Sequence, residues 1–129
     1  MQIHPGLADI DYGEWQGLTP DEMQDRWTAA LHGWYHQTDE AIIPGGETLA
    51  QTLPWHEHRK RAVCRHAEQT IVIVGHTVIN RIILLCVLGL GNKRFWHIKQ
   101  DTCAINAFEA ERGDFVLVSL NDTCHLRDL

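Results

Sequence analysis

The chain has 129 residues, of which 44% are hydrophobic, 22% charged and 8% aromatic, with a net charge of −6. That length fits one domain, and the composition is ordinary for a globular protein. The acidic balance argues against a nucleic-acid surface, which needs a basic field, but allows an anionic small substrate in a locally positive pocket.

Taken in order, residues 2–6 are broken by Pro5 and Gly6 and read as the tail of a strand or a loop. Residues 7–17 form a glycine-punctuated loop holding Asp9, Asp11, Tyr12 and Trp15. So dense a loop suggests a function; the plainer reading is a surface loop anchored by its aromatics. Thr19, Pro20 and Glu22 make a helix start, with Thr19 as cap, Pro20 in the first turn and Glu22 closing a capping box. Met23, Trp27, Ala30, Leu31 and Trp34 then recur at helical spacing and define a buried stripe fading near His36.

Residues 37–47 are a polar loop ending in Pro44-Gly45-Gly46-Glu47. Thr48 and Gln51 are spaced to cap a further helix that Pro54 interrupts. Trp55, Ala62, Val63 and Ala67 mark an apolar face running to about Glu68, and His56, His58, Arg59, Lys60, Arg61, Arg65 and His66 a solvated one. The stretch 71–75 is short and β-branched, and predicts a strand buried on both faces. The apolar run from Val78 to about Leu90 is too long for a typical strand and predicts a buried helix ending near Gly89 and Gly91. One helical turn is expected around Phe95 and Trp96. Strands are expected over 103–111 and 115–121, joined by a hairpin turn at 111–114.

None of the four cysteines forms a CxxC pair, and Cys86 and Cys103 read as buried thiols. No signal peptide opens the sequence, and the run at 78–90 is too short to cross a membrane. A reducing cytoplasm is the expected compartment.

His76 stands where the predicted strand meets the predicted helix. In open α/β sheets that edge binds ligands, and the unpaired N–H groups of a helix start, here at Thr77, suit a phosphate. A histidine that merely caps or closes the strand fits the same position.

Three pieces line up: Leu7-Ala-Asp9-Ile-Asp-Tyr12-Gly13-Glu-Trp-Gln-Gly17, then Pro44-Gly45-Gly46-Glu47-Thr48, then Val72-Ile-Val-Gly-His76 with Arg81 five residues on. As an ordered set they resemble the histidine phosphatase superfamily, also called phosphoglycerate-mutase-like. The closing segments 100–106 and 120–126 look like that family's last strands, so the resemblance spans essentially the whole chain. It implies a three-layer α/β/α fold and phosphomonoester hydrolysis or phosphoryl transfer through a phosphohistidine, with no metal or other cofactor. A second histidine, matched by His76, holds the phosphoryl group. An acid in the first loop, matched by Asp9 where glutamate is more usual, protonates the leaving oxygen. Thr77, Tyr12 and Glu47 fall at positions for binding phosphate or substrate.

The family's nucleophile lies in an Arg-His-Gly motif after its first strand, and no Arg-His-Gly occurs in these 129 residues. Arg65-His66-Ala67 is no substitute: it precedes a strand and has alanine for glycine. His56, His58, Cys64 and His66 lack a structural-zinc spacing, and Cys124-His125 are adjacent strand residues that point apart. The expectation is therefore a single, N-terminally incomplete domain over 1–129, lacking the first central strand and helix and inactive alone. The alternative is a non-catalytic phosphate-binding or oligomerisation module of the same fold. The expected partners are a phosphorylated small molecule and a second copy docked on the exposed sheet edge, with neither nucleic acid nor membrane. Mutase and phosphatase chemistry stay equally open.

Overall fold

The computed structural model describes residues 1–51, 69–111 and 114–127. The predicted helix over 48–68 beyond Gln51, with its zinc candidates and the Arg65-His66 pair, lies outside the described residues, as do Arg112 and Gly113 of the hairpin turn. Within the described residues the expected Thr48–Gln51 pairing is present: Gln51 Oε1 accepts from the Thr48 N–H at 2.7 Å, and Thr48 Oγ1 from the Gln51 N–H at 3.3 Å.

Helix α1 spans Pro20–His36. Its start is the predicted box, with Thr19 N–H donating to Glu22 Oε2 at 2.8 Å and Glu22 N–H to Thr19 Oγ1 at 3.4 Å. Leu31 and Trp34 are buried, and Met23, Trp27 and Ala30 pack against the core beside them. The helix is kinked at Trp27 (φ −136°, ψ 46°). Thr28 Oγ1 donates to the Gln24 carbonyl at 2.6 Å there, a back-bond of the kind that bends helices.

Helix α2 spans Thr77–Val87, and it buries Val78, Ile79 and every residue from Arg81 to Cys86. It ends where the glycines predict. Gly89 takes φ +67°, its N–H donates to Cys86 O, and Leu90 N–H reaches back to Leu85 O at 2.8 Å. This is the left-handed closure that glycine adopts without Cβ strain. A 3-10 turn follows at Asn92–His97.

Strands β1 (Ile105–Glu111) and β2 (Asp114–Asp122) form an antiparallel hairpin, with Phe108 opposite Leu117 and Glu111 opposite Asp114. Phe108 and Leu117 pack against the core, while Val116, Val118 and Leu120 face out. Gln100, Asp101, Asn106 and Asn121 form a hydrogen-bonded network at the open end of the hairpin.

Three expectations need correction. The segment 71–75 pairs with no strand among the described residues and is not buried on both faces. Val72 and Val74 are each 82% exposed. β-branched sequence makes a strand only where a neighbour supplies hydrogen bonds and cover. Cys103 is exposed at φ +58°, in the turn before β1, so only Cys86 of that pair is a buried thiol. Cys124 and His125 lie in the 3-10 turn Cys124–Leu126, past the end of β2, and not on a strand; at the other end of the chain the loop reading holds, with Pro5–Leu7 a 3-10 turn capped by His4 Nδ1, which accepts from Gly6 N–H.

No helix among the described residues is long and apolar enough to cross a membrane.

Candidate functional site

The 7–17 loop is held in place by the 44–48 loop. Glu47 Oε2 accepts from Asp11 N–H at 3.0 Å, Glu47 N–H donates to Asp11 O at 2.9 Å, and Glu14 N–H to Pro44 O at 2.9 Å. The chains approach so closely that a Cβ on Gly13 would fall on Pro44 O, and one on Gly46 would fall on Asp11 O. The glycines of the two motifs are thus required by backbone contact.

Within that loop the two aspartates do different work. Asp11 Oδ1 accepts from Gly13 N–H and from Gln16 Nε2, both at 2.8 Å, an Asx-type turn. Asp9 Oδ1 accepts from Ile10 N–H at 3.0 Å, and Oδ2 turns toward His76 Nδ1 at 3.5 Å. His76 is the N-cap residue of α2, yet its side chain makes no capping bond; the ring turns to Asp9 instead. The side chain is 63% exposed against 34% for Asp9, so the pair faces solvent. Asn80 Nδ2 donates to Gly75 O at 3.0 Å, tying the entering chain to the first turn. Thr77 is exposed as the first helical residue, where backbone N–H groups lack helical partners.

Tyr12 joins this pair to the core. Burial, helped by the Asp9 charge, pushes its hydroxyl pKa up to about 12 against the opposing pull of Arg81, so it is a neutral donor at ordinary pH. Its ring meets Trp34 edge-on at 6.4 Å, and Trp34 also touches Trp15, Phe95 and Trp96. Trp96 Nε1 donates to Trp34 O at 2.7 Å. One aromatic cluster thus fastens the 7–17 loop, α1 and the 92–97 turn together.

Sequence reasoning noted Arg81 but gave it no place in the site. It is 8% exposed, with its guanidinium carbon 4.6 Å from the Phe95 centroid and 4.7 Å from that of Trp96. Burial draws its pKa down, and the neighbouring Tyr12 works in the opposite direction. The signal in the sequence was a lone cation inside an otherwise uncharged helix.

The structure therefore brings His76, Asp9 and the start of α2 at Thr77 together, with Tyr12 in electrostatic reach of Asp9 and Arg81. Glu47 lies one step behind as the clasp on Asp11. A histidine, a carboxyl group and a helix N-terminus on one exposed face can bind an oxyanion and move a proton to or from it.

The chain is 30% identical over 125 residues to phosphoserine phosphatase 1 of Hydrogenobacter thermophilus, covering 93% of this chain and 57% of that protein. It is 24% identical over 105 residues to a probable 2-carboxy-D-arabinitol-1-phosphatase of Arabidopsis thaliana, covering 80% of this chain and 21% of that one. Among solved structures, Bacillus stearothermophilus YhfR superposes with a TM-score of 0.86 at 21% identity, over 96% of this chain and 62% of that one. The chain thus spans less than two thirds of each, and shares with YhfR the mixed α/β fold. The profile of the histidine phosphatase superfamily, branch 1, matches residues 1–123, and the chain belongs to that superfamily.

Proposed function

We propose that this chain carries the acid and phosphoryl-holding part of a phosphohistidine-type phosphatase or phosphoryl-transfer site. The observation that carries the reading is the 3.5 Å approach of Asp9 to His76 at the first turn of α2. His76 and the backbone N–H groups that begin at Thr77 hold the phosphoryl oxygens. Asp9 is the group that passes a proton to the leaving oxygen as the P–O bond breaks and the phosphoryl group goes to a nucleophilic histidine. Tyr12, neutral at working pH, donates to bound substrate. Glu47 contributes by holding Asp11 and, through it, the loop.

The nucleophile belongs to an Arg-His-Gly motif that these 129 residues do not contain. The chain alone therefore turns over no phosphomonoester at an appreciable rate. The substrate class we favour is a small phosphorylated carboxylic acid, the chemistry shared by phosphoserine and carboxyarabinitol phosphate in the relatives' names. The cytoplasm is the compartment that suits such a substrate. An aryl phosphate assay near neutral pH, with metals chelated, tests the assignment of roles. No turnover above buffer is expected. Robust turnover that His76→Ala abolishes makes His76 the nucleophile and overturns the reading.

A second reading, a non-catalytic module of the same fold, draws support from the exposed apolar side chains of Val72 and Val74. It predicts self-association with no response to phosphate.

A further inference from the structure

Arg81 is the only charged residue of α2 and is carried into the core with it. Among the described residues it forms no ion pair, and its buried Nε has no hydrogen-bond partner. Two aromatic rings lie against the guanidinium. Ring faces attract a cation but accept none of its N–H bonds in the way a carboxylate does. Three acids of the two loops are engaged elsewhere: Asp9 faces His76, Asp11 holds Gly13 and Gln16, and Glu47 holds Asp11 N–H. A buried guanidinium whose Nε lacks a partner calls for an anion from outside this set.

Its position relative to His76 says which anion fits. Five residues of helix advance about 7.5 Å along the axis, and helical side chains lean back toward the N-terminus. The guanidinium therefore sits within a small molecule's length of the phosphate site at the start of α2. Tyr12 feels both the Asp9 and the Arg81 charge, so both lie within electrostatic reach of one side chain. A planar fork of donors matches a carboxylate in a bidentate pair.

We propose that Arg81 is the specificity-determining residue of this site, receiving the carboxylate of a ligand whose phosphate is held at His76 and Thr77. The inference rests on the phosphate site proposed above, and the test separates the two.

Titrate the full chain with inorganic phosphate, O-phosphoserine and O-phosphoethanolamine, which differs from phosphoserine by the missing carboxylate, and follow binding by NMR. Phosphoserine is expected to bind about tenfold or more tighter than phosphoethanolamine, as a charge-assisted bidentate pair provides. Arg81→Met removes that advantage and leaves inorganic phosphate bound as before. Arg81→Lys, which keeps the charge but not the fork, keeps part of it. Equal binding of the two esters by the unaltered chain overturns the Arg81 assignment without recourse to any variant. So does an advantage that survives in Arg81→Met. Binding of none of the three ligands overturns the phosphate site and the Arg81 assignment together.

Discussion

Gly13 and Gly17 both take positive φ, +48° and +76°, but only Gly13 is crowded. Nothing lies within 4 Å of a Cβ on Gly17, whereas one on Gly13 meets the backbone of 44–46. Gly17→Ala therefore costs about 1 kcal/mol from the left-handed backbone alone. Gly13→Ala costs about 3 kcal/mol or more, because strain is joined by a steric clash with another loop. Urea unfolding of the two variants checks the contrast; equal midpoints would mean that the loops do not touch as described. Tyr12 supplies a pH test. Its raised pKa stabilises the folded state below pH 10, the unfolded value, and that contribution is lost as pH rises toward about 12. The ultraviolet tyrosinate step that Tyr12→Phe removes should centre near pH 12. A step centred at pH 10 places the hydroxyl in water instead.

At the scale of elements, α1 depends on its reciprocal cap and α2 on its burial. Thr19→Ala should cost about 1 kcal/mol. The Glu22 carboxylate accepts from Thr19 N–H and Oγ1, which holds its pKa below the usual glutamate value. With the folded pKa depressed, the stabilisation is present above the ordinary value of 4.5 and is lost as pH falls through the folded one. The first turn of α1 should thus fray in acid, and this acid dependence should vanish in Glu22→Gln. Amide exchange at 20–24 measures it; fraying that persists unchanged in Glu22→Gln assigns the effect to another group. The same two helices show what the sequence makes legible. Capping boxes, glycine stops and the apolar period are local, and α1, α2, the hairpin and the 92–97 turn all follow from them. The 71–75 segment is not local in that sense. Val72 and Val74 have every propensity for a strand, but a ladder needs a neighbour, and none occurs among the described residues. The surroundings of Arg81 are not local either: its ring partners, Phe95 and Trp96, lie more than a dozen residues away and meet it only in the folded chain.

For the whole molecule, Ile71, Val72 and Val74 leave an apolar strip beside the site. Apolar surface is worth roughly 25 cal/mol per Å² when covered, and a segment without a ladder recruits another chain. We expect a symmetric dimer at micromolar concentration in which two copies cover this strip. Light scattering measures it, and Val72→Lys together with Val74→Lys should return the particle to 14.8 kDa. A doubly substituted chain that remains dimeric locates the contact elsewhere.

The central claim is that the start of α2, His76 and Asp9 form an oxyanion site on this chain. The most direct measurement is a titration with phosphate or vanadate while following the His76 ring and the Thr77 and Val78 amides by NMR. The account predicts a saturable shift of these signals together, with millimolar affinity, weakened in His76→Ala. Signals that stay in place up to tens of millimolar, or that move equally in His76→Ala, contradict it.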